Sequence, residues 1–90
     1  MAGIQAETRL GFIGIVLEDR AQAALVNTTL SRYAPLIRAR IGVPDMEQDA
    51  GVIGLIVQGD DRSLGALTAK LGNISGVQIK SALAKKHNNT

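Results

Sequence analysis

Side chains that could act as nucleophiles have no obvious base partner in this 90-residue chain. There is no cysteine, and the one histidine, His87, stands in a polar stretch near the end of the sequence. The serines that lack an evident proton acceptor are Ser31, Ser63, Ser75 and Ser81. These residue types favour a binding or regulatory protein over an enzyme.

Two acidic pairs, Glu18-Asp19 and Asp60-Asp61, each follow an apolar segment and precede an arginine. Carboxylates in such turns usually cap the next helix, because they accept hydrogen bonds from the free N–H groups of its first turn. Carboxylates could also hold a hard cation, but no calcium-loop spacing is present. We therefore predict neither a metal site nor a cofactor.

The turn that leads from the first apolar segment into a helix is the best candidate for a ligand site. Backbone N–H groups at a helix N-terminus bind anionic groups. The neighbouring side chains that we predict as ligand contacts are Asp19, Arg20 and Asn27. The structural alternative for the same residues is a helix cap, a surface arginine and a helical asparagine.

A short internal sequence repeat indicates which secondary-structure elements surround these residues. Residues 11–17 and 51–57 both begin Gly-x-Ile-Gly, and apolar residues follow in each copy. Their β-branched residues leave neither face polar, which is typical of central strands. Because Gly11-x-x-Gly14 lies within a strand, it indicates packing rather than a dinucleotide-binding loop.

Periodicity and chain breakers predict four strands and two helices. The expected strands are residues 9–17, 36–43, 51–58 and 77–83, and the expected helices are about 20–33 and 61–71. Asp19 and Asp60 or Asp61 should cap the helices, while Gly72 is expected in the left-handed conformation after the second helix.

The second and fourth strands each combine an apolar and a polar face. Arg38 and Arg40 alternate in the second strand with a set that is expected on one buried face: Ile37, Ala39, Ile41 and Val43. Pro44 should end this strand. In the fourth strand, Gln78 and Lys80 form the polar face. Such strands suit the edges of a sheet.

This order predicts an α+β domain, a ferredoxin-like βαββαβ sandwich of ACT-like type. Its antiparallel sheet has the strand order 4-1-3-2, and both helices lie on one face. The domain should span residues 9–84, between flexible segments at 1–8 and 85–90.

Two helices can cover one face of this sheet only. We favour the face of Ile13, Ile15, Leu17, Ile53, Leu55 and Val57 as the covered one. The other face would expose a large apolar patch, which marks an interface. We expect a homodimer or higher homo-oligomer whose interface contains Phe12, Gly14, Val16, Val52, Gly54 and Ile56.

Nucleic-acid binding is the alternative function. The basic residues of the edge strands, Arg38, Arg40 and Lys80, would then supply positive charge for the nucleic acid. Phe12 is the one aromatic residue that the central strands offer for stacking on bases, and the net charge is only +2.

No apolar stretch is long enough to span a membrane and no secretion signal is evident, so we expect a cytoplasmic protein.

Several short motifs in a fixed order resemble the small ACT-like regulators of the iron-only hydrogenase system. They are residues 11–20, 26–27, 40–44 and 67–72, followed by Gly76-Val77. The resemblance implies an oligomer of ACT-type fold that regulates hydrogenase maturation or expression, through a small-molecule effector or a protein partner. The histidine and cysteine ligands of the related nickel-responsive regulators are absent, and contact with DNA is expected to need a partner.

Overall fold

The structure, a computed structural model, describes residues 7–45 and 50–85. Its strands and helices follow the predicted order: β1 (Arg9–Leu17), α1 (Ala23–Arg32), β2 (Ile37–Asp45), β3 (Ala50–Gly59), α2 (Asp61–Gly72) and β4 (Val77–Leu83). Most of the segments predicted to be flexible, 1–8 and 85–90, lies outside the described residues. Neither α1 nor α2 is long and apolar enough to cross a membrane.

The four strands form one antiparallel sheet in the order β2-β3-β1-β4, which is the predicted order read from the opposite edge. The two copies of the repeat are neighbours at its centre, and Gly14 of β1 lies opposite Gly54 of β3. The predicted ferredoxin-like fold is thereby confirmed.

The hydrophobic core lies between the helices and one face of the sheet. Strands β1 and β3 contribute Ile13, Ile15, Leu17, Leu55 and Val57, and the helices and the turn after α2 contribute Val26, Leu30, Leu64, Leu67, Leu71 and Ile74. Ile53 packs against this core and is partly buried. The face that we favoured from the sequence is therefore the covered one.

A β-bulge divides the apolar residues of β2 between the two faces of the sheet. The pairing shifts between Ile37, which lies opposite Val57, and Ala39, which lies opposite Ile56. The extra residue in the strand turns the following side chains over. The prediction of one buried apolar face in β2 was therefore wrong: Ile41 and Val43 are exposed, at 71% and 61%.

Strand β2 also continues past the proline that was expected to end it. Pro44 pairs with Gly51, and the strand ends at Asp45. A proline lacks the N–H donor that a central strand needs, but it is tolerated where the strand forms the edge of a sheet.

The chain enters α1 through a short 3₁₀ turn, Arg20–Gln22, which replaces the first turn of the predicted helix. Asp19 precedes this turn, and its Oδ1 accepts a hydrogen bond from the backbone N–H of Ala21 at 2.9 Å. The predicted cap is confirmed, although it caps the 3₁₀ turn rather than α1 itself. A second 3₁₀ turn, Ala34–Leu36, contains Pro35 and leads into β2.

Asp60 caps α2, and its Oδ1 accepts a hydrogen bond from the Ser63 N–H at 2.6 Å. This hydrogen bond lowers the pKa of Asp60 below its ordinary value of 3.8. A carboxyl group whose pKa is lower in the folded state stabilises the fold above its unfolded pKa and loses that effect as pH falls through the folded pKa.

We expect Asp60→Asn to keep the cap, because the amide oxygen can still accept from Ser63, while it removes this titration. Thermal unfolding at neutral pH and at about pH 3 should show a smaller acid destabilisation for Asp60→Asn than for the wild type. An equal acid destabilisation in both proteins would contradict the assigned cap.

The glycine in the left-handed conformation is Gly76, with φ of 79°, and the prediction of Gly72 for this role was wrong. Gly72 is the last residue of α2, and Asn73 follows as the C-cap with φ of −81°. The left-handed residue thus lies four positions further along the chain, where the Gly76 carbonyl accepts a hydrogen bond from the Glu18 N–H at 2.8 Å. That contact brings the turn against the end of β1.

Substituting alanine at the two glycines should change stability in opposite directions. Gly76→Ala is expected to lower the free energy of unfolding by about 1–2 kcal/mol, the cost of a left-handed conformation for a residue with a Cβ. The new Cβ would also lie 3.3 Å from the Asp19 Cβ. Gly72→Ala, whose Cβ would meet no atom within 4 Å, should raise the free energy of unfolding by up to about 1 kcal/mol. Urea denaturation measures both, and equal effects would contradict this account.

Candidate functional site

A cavity of about 250 Å³ lies between α1 and the helix-covered face of β2 and β3. Leu17, Val26 and Ile53 form its apolar floor, and Arg20, Asn27 and Arg40 supply its polar side chains. We refer to this space as the α1–β2 cavity. Its residues come from β1, the 3₁₀ turn before α1, α1, β2 and β3, so it is formed only when the sheet and α1 pack together.

The bulge in β2 is what brings Arg40 into the α1–β2 cavity. After the shift in pairing, Arg40 lies opposite Leu55 and therefore on the covered side of the sheet. Its Nη2 donates a hydrogen bond of 2.7 Å to the Asn27 Oδ1 on α1. This pair joins the edge strand to the helix across the cavity.

The structure brings together two of the three side chains that the sequence predicted as ligand contacts. Arg20 and Asn27 line the α1–β2 cavity, whereas Asp19 does not line it and its carboxylate caps the 3₁₀ turn. Reasoning from the sequence assigned Arg40 to a polar strand face and missed its part in the cavity. One signal was available, since Asn27 and Arg40 both belong to the motifs that carried the family resemblance.

The face of the sheet opposite the helices is apolar and exposed. Its large side chains are Leu10, Phe12, Val16, Ile41, Val43, Val52 and Ile56, and 39–71% of their surface is accessible. We call this set the helix-free face. Ile41 and Val43 were not expected here, and they extend the patch from the central strands to the β2 edge.

The Phe12 ring lies over the two glycines at the centre of the sheet. A Cβ placed on Gly14 would lie 3.2 Å from this ring, and a Cβ on Gly54 would lie 3.0 Å from it. The glycines therefore make room for an aromatic ring of their own chain. Their contact with another subunit stays a prediction, and Phe12 would take part in that contact beside them.

The basic residues of the nucleic-acid alternative do not form one surface. Lys80 of β4 lies opposite Gly14 and shares the helix-free face, whereas Arg40 of β2 points to the covered side. Arg38 donates to the Gln58 side chain at 3.0 Å. Because β2 and β4 are opposite edges of the sheet, this arrangement offers no continuous basic track.

The sheet order and the two helices define the class of this protein as a ferredoxin-like α+β domain. Residues 9–81 match the TM1266-like family, which is provisionally described as an iron-only hydrogenase system regulator. The chain belongs to this family. The resemblance found in the sequence is thus confirmed.

Among solved structures, the uncharacterized protein TM1266 from Thermotoga maritima is 39% identical to this chain, with a TM-score of 0.82. The match covers 88% of this chain and 100% of TM1266. No curated protein matches the sequence.

More distant structures share the fold alone. CPII, a nitrogen regulatory PII-like protein from Thiomonas intermedia K12, is 15% identical with a TM-score of 0.52, over 84% of this chain and 91% of CPII. SnoaB, a cofactor-independent oxygenase from Streptomyces nogalater, is 12% identical with a TM-score of 0.51, over 93% of this chain and 97% of SnoaB. A nitrogen regulatory protein and an oxygenase thus share this fold, and function must be argued from the surfaces of this chain.

Proposed function

We propose that this chain is a non-enzymatic regulatory module of an iron-only hydrogenase system that acts as a homo-oligomer, most simply a homodimer. The observation that carries the proposal is the helix-free face. Over Phe12–Val16, Ala39–Val43 and Val52–Ile56, the residues that point to this face include no charged side chain. An apolar patch that extends over three strands supports a role as an interface.

A second copy of the chain is the partner that fits this face best. Two such sheets can pack face to face at a distance of about 10 Å, with their branched side chains interlocked. A two-fold axis would make the contact self-complementary, as in most homodimers. Burying the patch would also stabilise a 90-residue domain whose single core is small.

Regulation would then pass from a small-molecule effector to a protein partner. Because Arg38, Arg40 and Lys80 do not share one surface, we do not propose that this domain contacts nucleic acid directly. An effect on hydrogenase expression would need a DNA-binding partner, and an effect on maturation would need a maturation protein.

Sedimentation velocity of the full chain tests the proposed assembly. At micromolar concentration we expect a species of at least twice the monomer mass of 9.5 kDa, with dissociation on dilution. A single 9.5-kDa species at every concentration would overturn the proposal.

The regulatory role is tested by deleting the gene in its host and measuring iron-only hydrogenase activity. We expect the activity to change on deletion, and the wild-type gene to restore it. Unchanged activity under conditions that induce the hydrogenase would contradict the proposed role.

A further inference from the structure

We infer that the α1–β2 cavity binds a small organic anion, whose carboxylate or phosphate group is held by Arg40 and whose apolar body lies on the cavity floor. The inference deepens the proposed function and rests on it for its biological purpose, since the anion would be the effector of the regulatory module. Binding itself is independent of self-association and can be measured separately.

Two arginines, Arg20 and Arg40, line the cavity, and Arg40 faces the covered side of the sheet. Within residues 7–45 and 50–85, its guanidinium forms no ion pair with a carboxylate, and its hydrogen bond goes to the neutral Asn27 amide. A guanidinium has five N–H donors, so this one bond leaves donors for a ligand. Their planar arrangement matches the two oxygens of a carboxylate or phosphate.

The residues at the floor of the cavity indicate that the rest of the ligand is apolar and short. Leu17 and Val26 are buried apolar residues, and Ile53 is partly buried beside them. A volume of about 250 Å³ lies below the range of about 300–1,000 Å³ that drug-sized ligands occupy. A short branched hydrocarbon chain with one anionic group fits both the size and the lining.

A free amino acid fits less well, because its ammonium group would need an acidic partner. None of the described lining residues is acidic, and the nearby Asp19 carboxylate already accepts the hydrogen bond that caps the 3₁₀ turn. Burying an ammonium group without a partner is costly. The cavity should therefore prefer a simple carboxylate or phosphate over a zwitterion of the same shape.

Gly42 has no side chain to fill the cavity on the β2 side, so a substitution at this position can be used to close it. A Cβ built on Gly42 would meet no atom within 4 Å, so a side chain at this position would extend into free space. Valine suits an edge strand and fills volume without adding charge. Gly42→Val should therefore occupy part of the cavity while the fold is retained.

Isothermal titration of the full chain with 4-methylpentanoate and isopentyl phosphate tests the inference. We expect heat from at least one anion, and the stronger binder identifies the carboxylate or the phosphate as the natural group. The uncharged 4-methylpentanamide and the zwitterion leucine should bind at least about tenfold more weakly, because a charge-assisted hydrogen bond is lost or an ammonium group is left unpaired.

Two variants and one control assign the binding to this cavity. Arg40→Gln removes the guanidinium that would hold the anion and Gly42→Val fills the space, and each should lower the affinity about tenfold or more. Arg38→Gln is the matched control on the same strand, since Arg38 contacts Gln58 outside the cavity, and it should bind like the wild type. Circular dichroism confirms that each variant is folded.

Absence of binding by both anions, or wild-type affinity in both Arg40→Gln and Gly42→Val, would overturn the inference. Equal binding of leucine and 4-methylpentanoate would overturn the preference for a simple anion. Self-association is measured by sedimentation, so a negative titration with an intact dimer refutes the anion site alone.

Discussion

Replacing Val52 by lysine is expected to weaken self-association at least about 100-fold, because an unpaired charge in a buried interface costs about 3 kcal/mol or more. Val52 is 52% exposed on the central strand β3, between Val16 of β1 and Val43 of β2. In a face-to-face dimer, its side chain would lie within the contact and away from the polar rim.

The folded monomer should tolerate Val52→Lys, since the side chain already reaches solvent in the isolated chain. Sedimentation velocity should therefore show a folded monomer at concentrations where the wild type is associated, and thermal unfolding should remain cooperative. In the deletion host, this variant should also fail to restore normal hydrogenase regulation.

Leu25→Lys is the matched control, because Leu25 is 50% exposed but lies on α1, at the opposite side of the sheet. This variant should associate like the wild type and restore regulation. Equal association of both lysine variants and the wild type would show that the helix-free face does not form the interface.

The second large effect is expected from Leu67→Ala in the core. Leu67 is fully buried on α2, and its truncation should lower the free energy of unfolding by about 3 kcal/mol, through lost transfer energy and the cavity left behind. A domain of this size has a total stability of about 5–10 kcal/mol, so the loss is a large fraction of it.

Leu25→Ala provides the comparison for the same chemical change at an exposed site. It should alter the free energy of unfolding by no more than about 0.5 kcal/mol. Urea denaturation of the two variants separates core packing from helix propensity, because both substitutions replace leucine by alanine within a helix. A similar effect of the two substitutions would contradict the assigned core.

The central part of the fold could be predicted because its pattern is strong. The repeated Gly-x-Ile-Gly sequence predicted that β1 and β3 lie side by side at the centre of the sheet, and the polar residues of β4 predicted an edge strand. Tertiary interactions decided the features that were missed. Gly76 adopts the left-handed conformation where its carbonyl accepts a hydrogen bond from Glu18, a contact between segments far apart in the sequence.

The candidate site depended on one such feature, the bulge in β2. Strict alternation placed Ile37 and Ile41 on the same face, whereas the extra residue between them separates the faces and directs Arg40 into the cavity. A bulge has no reliable signature in a single sequence. The position of the Phe12 ring over Gly14 and Gly54 was likewise not predictable, because it depends on the register between two strands.

Hydroxyl-radical footprinting tests most directly the central claim that a second copy covers the helix-free face. Phe12 is the one phenylalanine of the chain and is 46% exposed in the isolated protomer, so its oxidation reports on the middle of this face. We predict that Phe12 is protected at micromolar concentration and becomes reactive on dilution, while the similarly exposed Leu25 reacts equally in both states. Phe12 oxidation that does not change with concentration, in a sample that sedimentation shows to be associated, would contradict the claim.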